Sequence, residues 1–125
     1  MDNVKPDNTG QITKAISYVK DGPFAAYYCD NQEVAVEVYS QNGTIIYRSG
    51  RIPDGIVEEL YSDGALRKSV PFRDGNEHGV STEYYPSGDV FEENNYRRGV
   101  LHGSSKTYRQ DGTLWMEAFY KNGKL

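Results

Sequence analysis

Glycine returns on a fixed beat through the second half of the chain, and no other feature narrows the possible folds as much. Gly64, Gly88 and Gly112 are spaced by 24 residues, and the residues around them fall into the same register. Leu60, Tyr84 and Tyr108 precede each glycine by four positions; Leu66, Val90 and Leu114 follow it by two. Phe72, Tyr96 and Tyr120 follow by eight, Gly75, Gly99 and Gly123 by eleven, and His78-Gly79 and His102-Gly103 close two of the units. A repeat of this length is one supersecondary unit that buries its apolar side only against its neighbours.

Each unit reads as a β-hairpin. Leu66, Val70 and Phe72, then Val90 and Tyr96, then Leu114, Met116, Ala118 and Tyr120 are all even-numbered, which places them on one face of a period-two strand. The odd positions Arg67, Ser69 and Arg73 face the other way, and that face turns aromatic later with Phe91, Trp115 and Phe119. Ser62-Asp63-Gly64, Pro86-Ser87-Gly88 and Gln110-Asp111-Gly112 are tight turns whose last residue must take positive φ. Glycine is too frequent after residue 43 to leave room for an amphipathic helix; only 23–36 has the space. The expected fold is all-β: a single elongated antiparallel meander of hairpin repeats, with 1–125 as one domain.

Upstream the beat weakens. Tyr39, Gly43 and Ile45 form a degenerate repeat over 39–54, and 55–125 holds the regular ones. Residues 1–38 form a divergent amino-terminal cap, where Asn8-Thr9-Gly10-Gln11-Ile12 and Tyr18-Val19-Lys20-Asp21-Gly22 look like half a unit. Terminal repeats are commonly atypical because they seal the stack.

Hydrophobic residues make up only 37% of the chain, so a deep core is not expected. Tyrosine is abundant instead, 11 against four Phe and one Trp, and it suits a sheet packed on one side and wet on the other. One layer of strands cannot bury both faces, so some of these rings are left for a partner. Tyr and Trp give large contact area at small entropic cost.

Charge is distributed unevenly. Residues 54–93 carry ten acids and three bases, whereas 94–125 carry six bases and two acids. The acidic centre repels phosphates, which argues against nucleic acid and for a basic protein partner. Tyr61, Glu83, Tyr85, Phe91, Glu93 and Trp115 are the expected contact residues. The basic carboxy-terminal stretch, with Arg97, Arg98, Arg109, Lys121 and Lys124, is the alternative surface, suited to anionic lipid.

Catalytic chemistry finds no foothold. Cys29 is the single cysteine and has no evident base beside it, which fits a bystander thiol in a reducing compartment. His78 and His102 are equivalent turn residues with no third histidine to complete a metal site. Glu58-Glu59 and Glu92-Glu93 are sequence neighbours in strands, so the members of each pair face opposite ways and cannot act as an acid/base pair. No nucleophile elbow, phosphate loop or dinucleotide fingerprint is present. No enzyme activity and no cofactor are expected. With neither a secretory leader nor a long apolar run, the chain reads as soluble and cytoplasmic.

Two spans resemble a known family. Glu83-Tyr84-Tyr85-Pro86-Ser87-Gly88 with Tyr96-Arg97-Arg98-Gly99-Val100-Leu101-His102-Gly103 is one, and Tyr108, Asp111-Gly112-Thr113-Leu114 with Tyr120-Lys121-Asn122-Gly123-Lys124-Leu125 is the other. They are similar to the bacterial variant of the MORN repeat found in YwqK-like antitoxin proteins. The resemblance covers 55–125 well, 39–54 weakly and the first 38 residues in fragments. It implies a small immunity protein that binds a cognate toxin, nucleases among the candidates, and blocks it stoichiometrically. The exposed edge strands of an open sheet leave the chain as monomer or edge-mediated dimer. The alternative it leaves is a MORN-type structural or membrane-associated scaffold.

Overall fold

The computed structural model describes residues 11–19 and 22–125; the remaining positions of the half unit expected around residues 8–22 lie outside them. Every element is a strand: β1 (Ile12–Val19), β2 (Gly22–Cys29), β3 (Gln32–Tyr39), β4 (Ile45–Gly50), β5 (Gly55–Leu60), β6 (Leu66–Arg73), β7 (Asn76–Glu77), β8 (Gly79–Tyr84), β9 (Val90–Arg97), β10 (Val100–Tyr108) and β11 (Leu114–Tyr120). They form one sheet in the order β11-β10-β9-β8-β6-β5-β1-β2-β3-β4, with the short β7 paired to β6. The stretch with room for a helix is β2 and β3, joined by a tight turn in which Asp30 and Asn31 both take positive φ.

The repeat has two kinds of corner. At one end of the hairpins a glycine closes a type I-like turn: Gly88 N–H donates to Tyr85 O, Tyr85 N–H donates to Asp89 O, and Gly88 has φ 98°. The register shifts beside these turns, between Glu83 and Tyr84 for example, as a bulge with its glycine in the left-handed region requires. At the other end Asp74-Gly75, Arg98-Gly99 and Asn122-Gly123 pair two positive-φ residues, the signature of a type I′ turn.

Two antiparallel meanders, β1–β4 and β5–β11, meet where β5 runs parallel to β1 over Ile12↔Val57, Thr13↔Glu58 and Lys14↔Glu59. The junction rolls the sheet. β4 and β5 are four strand spacings apart in the sheet, roughly 19 Å if flat. The connection from Gly50 to Gly55 reaches at most about 18 Å even fully extended, so the first meander must curl until β4 comes round towards β6. Two contacts show the closure: Tyr27 of β2 meets Phe72 of β6 edge to face with ring centroids 6.3 Å apart, and Arg51 approaches Asp74 at 3.7 Å. Gly50 makes the corner possible, because at its φ of 77° a Cβ would overlap the Val34 carbonyl.

The roll creates the core that composition argued against. Ile12, Ala25, Tyr27, Ala35, Ile52 and Val57 are buried together, with Ile16, Cys29, Val34, Tyr39 and Phe72 packed around them. Ile52, from the connection itself, plugs the roll at 3% exposure. Beyond it the sheet is a single open layer, and no residue after Ser81 is buried.

Candidate partner-binding surface

Two regions gather polar chemistry: the mouth of the roll and the open sheet of β8–β11. In the roll, Glu37 of β3 is 4% exposed. Its Oε1 accepts hydrogen bonds from Tyr27 Oη at 2.6 Å and Tyr39 Oη at 2.8 Å. Its Oε2 is held by Arg48, with Nη2 at 2.7 Å. Burial alone pushes this carboxyl up, but the bonds from Tyr27, Tyr39 and Arg48 outweigh it and hold the group below its ordinary value. The phenols respond in the opposite sense. Desolvation and the bond to Glu37 push Tyr39 up to about 12 and Tyr27 further still. Lys14 lies over the Tyr27 ring, 5.6 Å from its centroid and 4.0 Å from Glu59, and burial lowers its ammonium. Lys14, Tyr27, Glu37, Tyr39 and Arg48, with Phe72, Asn76 and Glu77, line a cleft of about 280 Å³. With all of these donors converging on Glu37, the cluster fixes the roll. Sequence reading missed it, although a glutamate interrupting the run Val34-Ala35-Val36-Glu37-Val38-Tyr39 was the available signal.

The expected contact residues are divided between structural duty and two opposite faces. Tyr61 and Tyr85 are repeat equivalents that stitch one unit to the next: Tyr61 Oη donates to Tyr84 O at 2.5 Å and Tyr85 Oη to Tyr108 O at 2.7 Å. Tyr85 also packs on Phe91, ring centroids 5.0 Å apart. Glu83 lies opposite Glu92, and Glu93 lies opposite Thr82. Cross-strand partners share a face, so Glu83 and Glu93 point to different sides of the sheet. Phe91 and Glu93 alternate along one face of β9, and the β9–β10–β11 register puts Trp115, Glu117 and Phe119 on that same side. Glu93 accepts a hydrogen bond from Tyr108 Oη at 3.0 Å. Trp115 and Phe119 stand out on the edge strand, 57% and 66% exposed. The structure therefore brings Phe91, Glu93 and Trp115 together on one face, leaves Glu83 on the other, and spends the hydroxyls of Tyr61 and Tyr85 between repeats.

The turn histidines have a shared job. His78 Nδ1 accepts Arg98 N–H at 3.3 Å and His102 Nδ1 accepts Asn122 N–H at 3.2 Å. One period upstream Asp54 does the same for Asp74 N–H at 2.9 Å. Among the described residues no three His, Cys, Asp or Glu side chains converge at metal-binding spacing. Cys29 is half-buried, and burial, then the charge of Asp30, pushes its thiol up, away from the thiolate a nucleophile needs.

The basic stretch also divides. Arg97, Arg98, Lys121 and Lys124 are exposed along the rim of type I′ turns, joined there by Arg73, while Arg109 sits at the opposite rim beside Thr113. No helix among the described residues is long and apolar enough to cross a membrane.

Comparison with known proteins agrees with this repeat geometry. Residues 77–98 and 101–122 match the family described as MORN repeat variant, two successive units offset by the same 24-residue period. No curated protein and no solved structure matches the chain.

Proposed function

We propose that the chain is a protein-interaction module of the immunity type, which binds a cognate bacterial toxin in the cytoplasm and blocks it by occlusion, without catalysis or cofactor. The observation that carries this reading is the open half of the sheet. Leu114, Trp115, Met116 and Phe119 are each more than two-fifths exposed on one edge strand, on both of its faces. Such a surface is unusual for a chain that acts alone and ordinary for one that docks. The acidic excess over 54–93 supports a basic toxin surface as the counterpart.

Co-expression with the product of the adjacent open reading frame tests the proposal. The expected result is relief of that product's toxicity and a one-to-one complex on co-purification. Unrelieved toxicity with no complex overturns it. A second reading, a scaffold resting on an anionic membrane, is favoured by one observation: Arg73, Arg97, Arg98, Lys121 and Lys124 share a single rim. Sedimentation with phosphatidylserine vesicles, abolished by Arg97→Glu/Arg98→Glu, would place that reading first.

A further inference from the structure

We propose that the rim of type I′ turns holds two carboxylate-binding sites, Arg73 with His78 and Arg97 with His102, which together take an extended acidic segment of a protein partner. This goes beyond the immunity reading and does not depend on it.

The chemistry starts from the turn hydrogen bonds. His78 Nδ1 accepts the Arg98 amide at 3.3 Å and His102 Nδ1 accepts the Asn122 amide at 3.2 Å. A backbone N–H can only donate, so both Nδ1 atoms are unprotonated and each imidazole carries its proton on Nε2. At His102 that Nε2 faces Arg97 Nη1 at 3.4 Å. A guanidinium has no acceptor, so two donors meet and neither satisfies the other. An oxyanion between them accepts from both. The same pair recurs 24 residues earlier, where Arg73 and His78 line one cavity of about 360 Å³ with Asp74, Asn76 and Arg98.

These donors are surplus to the fold. One period upstream Asp54 stands in the histidine's place and accepts the Asp74 amide at 2.9 Å, yet it offers no donor. The turn thus needs the acceptor alone, and the outward Nε2–H is left over. Among the described residues no ion pair reaches Arg73, Arg97 or Arg98.

The fitting anion is a carboxylate. Asp74 lines the first cavity, and its charge opposes a phosphate dianion more than a monoanion. Two carboxylate oxygens match one guanidinium and one N–H. Equivalent positions in successive repeats lie two strand spacings apart, about 10 Å. A polyproline II chain sets residues three apart on one side at about 9 Å. A segment with acids three residues apart therefore reaches both sites.

Titration of the intact protein with a proline-rich peptide carrying two glutamates three residues apart tests the inference, read by affinity and by chemical-shift changes at the two imidazoles. The expected result is binding that weakens with added salt, falls at least tenfold in Arg73→Gln/Arg97→Gln, and is absent for the glutamine counterpart. The exposed arginines leave the melting midpoint unchanged, so weaker binding would not reflect unfolding. His78→Asp/His102→Asp keeps the turn acceptor and puts a repelling charge where each donor stood; it should fold and lose binding. Equal binding to wild type and the arginine variant, or shifts confined elsewhere, overturns the inference. Tighter binding of inorganic phosphate or phosphatidylserine vesicles than of the peptide also overturns it.

Discussion

The rolled half and the open half use the same hairpin and spend their aromatic residues differently. In the roll, Tyr27 is 1% exposed, packs against Phe72 and donates to a buried carboxylate. In the open half, Tyr96 is only half-buried and Trp115 stands 57% exposed on the edge strand. The difference comes from one connection. The link from Gly50 to Gly55 is too short for a flat sheet, and pulling β4 round gives the first meander an inside. From β8 onward every connection joins adjacent strands, so nothing forces a second closure. Stability is therefore concentrated in the amino-terminal half and free contact surface in the carboxy-terminal half.

The largest test of this contrast is a pair of truncations. Tyr27→Ala removes a fully buried ring together with its bond to Glu37, and should cost about 4 kcal/mol of unfolding free energy. Trp115→Ala removes a larger ring from an exposed edge and should change stability by no more than about 0.5 kcal/mol, while weakening partner capture. Urea unfolding of both variants decides the matter. Comparable losses would mean that the open half has a core that the burial pattern does not reveal.

Acidity probes the same division. Glu37 titrates below its ordinary value of 4.5 in the folded chain, so its stabilisation is present above that pH and is lost as pH falls through the folded value. Tyr39 is raised from 10.0 to about 12, so its share is intact below pH 10 and declines as pH rises towards 12. The roll should thus hold a stability plateau between about pH 4.5 and 10. Melting midpoints across this range should show an acid limb that is shallower in Glu37→Gln. An unchanged limb would assign acid unfolding to other carboxylates.

What the sequence made legible was local. The glycine beat reports positions where φ must be positive, so the hairpin corners, the strand alternation and the period could be read without knowing which strands meet. The roll could not be read in that way. It depends on a parallel β1–β5 contact across more than forty residues and on a corner at Gly50, neither of which leaves a periodic trace. The placement of the expected contact residues was legible in part. Phe91, Glu93 and Trp115 share a face as the odd positions of their strands predict. Glu83 does not join them, because the bulge at each glycine turn shifts the register, so that odd positions of β8 share a face with even positions of β9. Tyr61 and Tyr85 look like free binding rings in sequence. Only the fold shows a backbone carbonyl of the next unit within reach of each hydroxyl.

The smallest effect lies at the type I′ turns, where one structural task is done by two chemistries. Asp54 holds the Asp74 amide at 2.9 Å beside the roll, and His102 holds the Asn122 amide at 3.2 Å in the open sheet. If the task is only to accept that hydrogen bond, His102→Leu should cost about 1 kcal/mol. His102→Asp should then cost less, because a carboxylate accepts as well as an imidazole and would sit among Arg97, Lys121 and Lys124. Thermal unfolding of the two variants side by side reads the difference. Equal losses would show that the ring's packing, not its lone pair, secures the turn, and the equivalence drawn between Asp54 and the two histidines would then fail.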